Sequence, residues 1–274
     1  MDYQKRFKVK PGSRVRLDRI DPGFKQGSRK AGEAQAARDQ ERLNALQRLL
    51  YAGTRHSLLI VLQGMDTAGK DGTITHVLGA MNPQGCRVQP FREPTHEEAT
   101  HDFLWRVHRA VPACGEVVVF NRSHYEAVLV ERVHKVVAKP VWSKRYGMID
   151  HFEAGLAEHG TLVLKFFLHI SKEEQLRRFR HRLDDPDRRW KISESDYTER
   201  ERWDEYMAAY EDALSRCSTE AAPWYVIPAD HKWFRNLAVS SIVAERLEAL
   251  KMRYPEPTAD LEKLRREYHS AGGR

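Results

Sequence analysis

Five short, largely apolar runs bounded by turn residues constrain this chain most: Leu58–Leu62, Arg87–Phe91, Val117–Phe120, Leu162–Ile170 and Trp224–Ile227. A strand with one wet face alternates apolar and polar residues, whereas a strand buried on both faces does not. Between the runs lie helix-period patterns at 31–52, 72–81, 95–110, 140–158 and 171–182, a longer one at 194–216, and an amphipathic one at 232–251. In the first of these, Leu43, Leu46, Leu49 and Leu50 form one stripe, and Gly53 follows as a stop signal. Buried strands alternating with helices predict an α/β fold: three layers, with a central parallel five-stranded sheet and helices on both faces. A helical insertion is expected near the C-terminal third. Hydrophobic residues make up 41% of the chain, enough for a real core.

The first run leads into a glycine-rich turn, "LLIVLQGMDTAGKDGT". Gly64, Gly69 and Lys70 have the G-x-x-x-x-G-K spacing of a phosphate-cradling loop, and a buried strand before it and a helix after it supply the required setting. Backbone N–H groups from Thr67 through Ala68, Gly69 and Asp71 to Gly72, and on to Thr73, would face phosphate oxygens at the positive end of a helix. Lys70 would neutralise the transferring phosphoryl group. Two departures need a reason. The Ser or Thr that normally follows the lysine and holds Mg²⁺ is Asp71, and "EVVVF" is followed by "NRSHYE" where an Asp is usual. The metal-holding carboxylate is therefore expected at Asp66, with Glu126 as the next candidate, because magnesium needs only one or two protein carboxylates. Asp71 either takes part in the chemistry or caps a helix beginning at Gly72. Arg122, just past a strand end, suits a bidentate phosphate clamp.

The net charge of +7 is concentrated. Residues 1–30 hold ten Lys or Arg against three Asp, and the remainder is balanced. This basic arm reads as a solvated tail, with a polyanion contact as the alternative. Arg177 to Lys191 holds seven basic residues against three Asp. Its place after the fourth strand favours a cationic lid over about 178–196, which would exclude water and bring charge to the transition state. A single domain over 31–254 and a polar tail over 255–274 complete the expected organisation.

Six segments, "GMDTAGKDGT", "NPQG", "FNRSHYEAVLVERV", "LKFFLHISKEEQ", "DDPDRRWK" and "APWYVIPAD", together resemble the second polyphosphate-kinase family, from about residue 5 to 255. The resemblance implies a P-loop kinase fold with a helical lid. It also implies reversible, Mg²⁺-assisted transfer of the terminal phosphoryl group of inorganic polyphosphate to a nucleotide, with Mn²⁺ as a substitute. "FNRSHYE" in place of the commoner "FDRSWY" resembles the subgroup that accepts both AMP and ADP. By the same resemblance, Asp66, Gly69 and Lys70 form the catalytic loop, with Asp66 on the metal, and Asn121, Arg122 and Glu126 surround the transferred phosphate and acceptor. Arg132 matches a basic position, and Arg178, Arg182 and Lys191 fall in the lid that clamps polyphosphate. Family members are generally homo-oligomers. Ala127 and Glu131 depart from the pattern, at positions where an acid and an apolar residue are usual.

Three scattered cysteines (Cys86, Cys114 and Cys217) and no apolar span near the ~18 residues of a membrane helix lead to the expectation of a reduced, cytoplasmic protein. No signal segment, membrane contact or nucleic-acid contact is expected. Zinc spacing is absent from the thirteen histidines. Trp142, Tyr146 and Phe152 read as core rather than as a base pocket, and His101, Trp105 and His108 as core or interface. Two other functions stay open at this level: an ATP-dependent nucleoside monophosphate kinase, and a non-enzymatic polyanion-binding protein.

Overall fold

All five apolar runs become strands of one sheet: β1 (Ser57–Gln63), β2 (Cys86–Pro90), β3 (Val117–Asn121), β4 (Thr161–His169) and β5 (Trp224–Pro228). Their order is β2-β3-β1-β4-β5, and every neighbouring pair is parallel. The computed structural model describes residues 1–272. Every residue of β1, β4 and β5 is buried, so the sheet is covered on both faces. The register sets Leu62 beside Asn121, and the loops leaving β1 and β3 therefore emerge side by side. In open α/β sheets, that carboxyl edge is where ligands bind.

The helices are α1 (Tyr3–Phe7), α2 (Arg29–Gly53), α3 (Lys70–Leu78), α4 (His96–Ala99), α5 (Trp105–His108), α6 (Val130–Val133), α7 (Lys139–Glu158), α8 (Lys172–Asp184), α9 (Glu194–Glu201), α10 (Trp203–Arg216), α11 (Lys232–Glu248) and α12 (Leu261–Ser270). α11 packs on α2 and α3, while α7 packs on β4. Two long helical patterns are broken in the structure. The stretch 95–110 splits into α4 and α5 because Asp102 folds its carboxylate onto the Leu104 N–H at 2.9 Å, a local alternative to the helical ladder. The stretch 194–216 breaks at Arg202, which separates α9 from α10. Within 255–274, Asp260 caps α12, a helix with no buried residue.

The solvated-tail reading of residues 1–30 is corrected. Phe7, Val9, Val15 and Leu17 alternate with the basic residues and are buried. Lys8 bridges Tyr225 in antiparallel fashion, and Val9 N donates to Trp224 O at 2.9 Å. Tyr3, Phe7, Phe24 and Phe234 form a ring cluster over α11. The segment covers the open edge of β5, a position that would otherwise invite pairing with another chain. Its charge faces outward while its apolar residues belong to the core.

Candidate active site

The loop between β1 and α3 is shaped by close approaches that only glycine permits. Gly64 has φ +153° and lies where a Cβ would stand 2.8 Å from Leu168 O. Gly69 has φ +107°, with Arg235 directly behind it. Thr67, a non-glycine, also holds a positive φ of 62°, the kind of backbone strain that collects at ligand-binding turns. Thr73 Oγ1 donates to Gly69 O at 3.1 Å and ties the loop to the first turn of α3. That helix begins at Lys70 rather than at Gly72, so Asp71 lies in its first turn and does not cap it.

Lys70 Nζ donates to Gly64 O at 2.8 Å. Burial, and then the Arg122 charge, pull its ammonium below the usual lysine value. From the neighbouring strand, Arg122 takes a left-handed φ of 61° and reaches over the loop. Its Nη2 donates to Asp66 Oδ1 at 3.0 Å and its Nη1 lies 3.5 Å from Glu126 Oε2. Glu126, and then Asp66, hold the guanidinium above its ordinary value. Gln63 fixes the far side of Glu126 by donating to Oε1 at 3.0 Å. Asn121 Nδ2 donates to Asp71 Oδ1 at 3.0 Å, and Lys191, between α8 and α9, reaches Asp71 Oδ2 at 3.3 Å. Burial pushes the Asp71 carboxyl up, but these two donors outweigh it and hold the group below the usual carboxylate range. The second acid of the loop is thus neutralised by protein partners.

Asp66, Lys70, Asn121, Arg122 and Glu126 therefore converge, as the sequence predicts. Of these, Asp66, Arg122 and Glu126 line a cavity of about 330 Å³ that Gly64, His134, Asp196, Glu199 and Tyr206 also line. Glu199 accepts from Tyr206 at 2.5 Å and pairs with His134 Nε2 at 2.9 Å, joining α9 to the body. Arg182 pairs with Asp196 at 3.6 Å on the same side.

Two expected phosphate ligands stand elsewhere. Arg178 is buried, and all five of its N–H groups are spent on protein acceptors: Glu174, Thr67 O, Ala68 O, Ala229 O and Asp230 O. It buttresses the loop from behind. Arg132 faces away from the loop, donating to Tyr146 Oη at 3.1 Å and Asp212 at 2.7 Å with its guanidinium over Trp142. Glu131 also has a structural account, a 2.6 Å pair with Arg145, which in turn donates to Ala127 O. Trp142 lies under the Arg132 guanidinium, Tyr146 Oη accepts from Arg132, and Phe152 meets His124 edge-on. His101 stacks on Trp105, and His108 meets Phe152 edge-on.

The sequence reading misses the support behind the site. Lys165 on β4 is fully buried and bonds Glu153 of α7, Tyr125 Oη and Cys217 O. Glu153 Oε1 also accepts from Tyr125 Oη at 3.0 Å and lies 3.1 Å from His124 Nε2. This network anchors the turn that carries Arg122 and Glu126. A lysine inside the apolar run "LVLKFFL" was the available signal. Arg235, inside the apolar stripe of α11, is the same kind of signal.

Asp66 and Glu126 offer only oxygen donors, and among the described residues no group of three His, Cys, Asp or Glu could hold an ion alone. That fits a hard divalent cation whose remaining ligands are phosphate oxygens and water.

A parallel sheet with helices on both faces and a glycine-rich loop opening a helix at its carboxyl edge define a P-loop phosphotransferase. Residues 26–255 match the family described as Polyphosphate kinase 2. The chain is 52% identical over 264 residues to an AMP/ADP-polyphosphate phosphotransferase of Meiothermus ruber, covering 95% of this chain and 98% of that protein. It is 46% identical over 271 residues to an ADP-polyphosphate phosphotransferase of Rhodopseudomonas palustris, covering 93% of each. The crystal structure of polyphosphate kinase 2 from Arthrobacter aurescens TC1 superimposes with a TM-score of 0.95 at 42% identity, covering 98% of this chain and 97% of that one. The chain belongs to the polyphosphate kinase 2 family.

Proposed function

We propose that this protein transfers the terminal phosphoryl group of inorganic polyphosphate to AMP and ADP, reversibly. The observation that carries the reading is Arg122, forked between Asp66 and Glu126 at the mouth of the loop that holds Lys70. The name of the Meiothermus relative supports both acceptors for this chain, and that of the Rhodopseudomonas relative supports ADP.

In this reading the amides from Thr67 to Thr73 and the Lys70 ammonium hold the phosphates, and Arg122 orients the group in transfer. Asp66 and Glu126 would hold Mg²⁺, or Mn²⁺ in its place, which when bound neutralises phosphate charge. Asn121 and Lys191 keep Asp71 from repelling the donor. Arg182 and Lys191 belong to the segment that excludes water. The acceptor phosphate is already an ionised nucleophile, so no side chain need act as general base, and positioning with charge neutralisation carries the rate. Donor and product are both phosphoanhydrides, which accounts for reversibility. A cytoplasmic homo-oligomer is part of the same proposal, and no helix of the described residues is long and apolar enough to cross a membrane.

Purified protein given long-chain polyphosphate, Mg²⁺ and AMP, with no ATP, is expected to form ADP and then ATP, resolved by anion-exchange chromatography. ADP without ATP would restrict the acceptor to monophosphates. Product only when ATP is the donor would overturn the reading in favour of an ordinary nucleotide kinase.

A further inference from the structure

Three cations among the described residues are buried below a tenth of their surface: Lys165, Arg178 and Arg235. Lys165 is matched by Glu153 and Arg178 by Glu174. Arg235 has no carboxylate. Its Nε and Nη2 both donate to Asn236 Oδ1, at 3.1 and 2.7 Å, and its Nη1 donates to Ala68 O at 3.3 Å. The charge that bears on it most is another cation, Arg178; burial, and then that neighbour, push Arg235 down to about 9, so it stays charged at neutral pH. A buried, unmatched charge is costly, and groups perturbed in this way gather at functional sites.

Its position says what that something is. Arg235 lies in the first turn of α11 and stands against the phosphate-type loop. A Cβ on Gly69 would fall 1.7 Å from Nη1, and one on Gly72 would fall 3.1 Å from Nη2. The guanidinium thus occupies the space behind two residues whose amides open α3. The two N–H groups of Asn236's partner that point at one oxygen fix the plane of the fork.

We propose that Arg235 is a positioning residue for phosphate, a fixed positive charge behind Gly69 and Gly72 whose counter-ion is the phosphate chain held in front of them. This rests on the reading that the loop holds phosphates. Shielded from water, the charge acts through the loop at short range and unscreened by salt. It biases the loop toward anions before any substrate arrives, at the expense of stability in the ligand-free protein.

That trade gives a test that separates it from simple packing. Full-length wild type, Arg235→Met and Arg235→Lys are melted without ligand and with sodium tripolyphosphate, and polyphosphate-driven ATP formation from ADP is measured. Arg235→Met is expected to melt, ligand-free, at or above the wild-type temperature, because a costly charge is gone. Its tripolyphosphate-induced rise in Tm should shrink to half or less, and kcat/KM for polyphosphate should fall about tenfold. Arg235→Lys keeps the charge and should keep most of the rise. A full tripolyphosphate-induced rise in Arg235→Met, or its loss in Arg235→Lys, would overturn the proposal; if Arg235→Met does not fold, the rise in Arg235→Lys alone decides. If wild type is stabilised by tripolyphosphate but makes no nucleotide, the proposed function fails and Arg235 keeps its role. If wild type makes ATP and Arg235→Met retains the full rise, the reverse holds.

Discussion

Arg178 has five N–H donors, and the protein takes all of them. Four go to backbone carbonyls, two in the glycine-rich loop and two in the turn after β5. A residue placed in this way sets the loop's shape and leaves the substrate to others. Arg178→Lys keeps a charge near Glu174 but cannot reproduce a planar fork over four acceptors. Its kcat is expected to fall on the order of tenfold or more, because small misplacements of a phosphate cradle are expensive, while KM for polyphosphate changes little. Steady-state kinetics decide this: a large rise in that KM with kcat preserved would make Arg178 a phosphate clamp after all. The sequence shows that Arg178 and Arg182 share a helix face and carry charge. It does not show which face is buried, because the four carbonyl acceptors of Arg178 lie 51 to 111 residues away along the chain.

Among the elements, the short turn carrying Arg122 and Glu126 depends most on what lies beneath it. His124 and Tyr125 point down from that turn onto Glu153 and Lys165, and all four side chains are buried. Burial raises the Glu153 carboxyl, yet Lys165 and His124 overcome it and hold the group below its ordinary value. Burial keeps His124 neutral, below its ordinary 6.5, despite Glu153 beside it. Its Nδ1 has no partner, as befits the unprotonated nitrogen of a tautomer that donates from Nε2. His76 and His169 are also held low, chiefly by burial. With folded values below the unfolded ones, the unfolded chain binds more protons once pH drops under about 6.5, so stability is full above that pH and declines as acid is added. Melting at pH 7.5 and 5.5 should show a lower Tm at pH 5.5, and His124→Asn should reduce the drop. An equal or higher wild-type Tm at pH 5.5 would contradict the assignment. At this scale the strands were legible because their runs are apolar throughout. The breaks at Asp102 and Arg202 were not, since apolar periodicity continues across them while local hydrogen bonding does not.

For the whole molecule, legibility divides along charge. The sheet, its parallel sense and the convergence of Asp66, Lys70, Asn121, Arg122 and Glu126 follow from buried strands and from motifs placed at strand ends. The packing of the N-terminal arm is hidden in the sequence because its basic residues dominate the composition while the apolar ones between them join the core. The same imbalance bears on function, for a basic exterior suggests polyanion binding, whereas the site offers chemistry. The most direct measurement is ATP formation from ADP and long-chain polyphosphate, run beside polyphosphate binding, for wild type and Asp66→Asn. If the protein is a polyphosphate-dependent nucleotide kinase, wild type makes ATP, and Asp66→Asn, still folded, loses on the order of a thousandfold or more in kcat, as removal of a central transition-state group does. Polyphosphate binding without ATP formation in wild type, left unchanged by Asp66→Asn, would contradict the account and leave only a polyanion-binding protein.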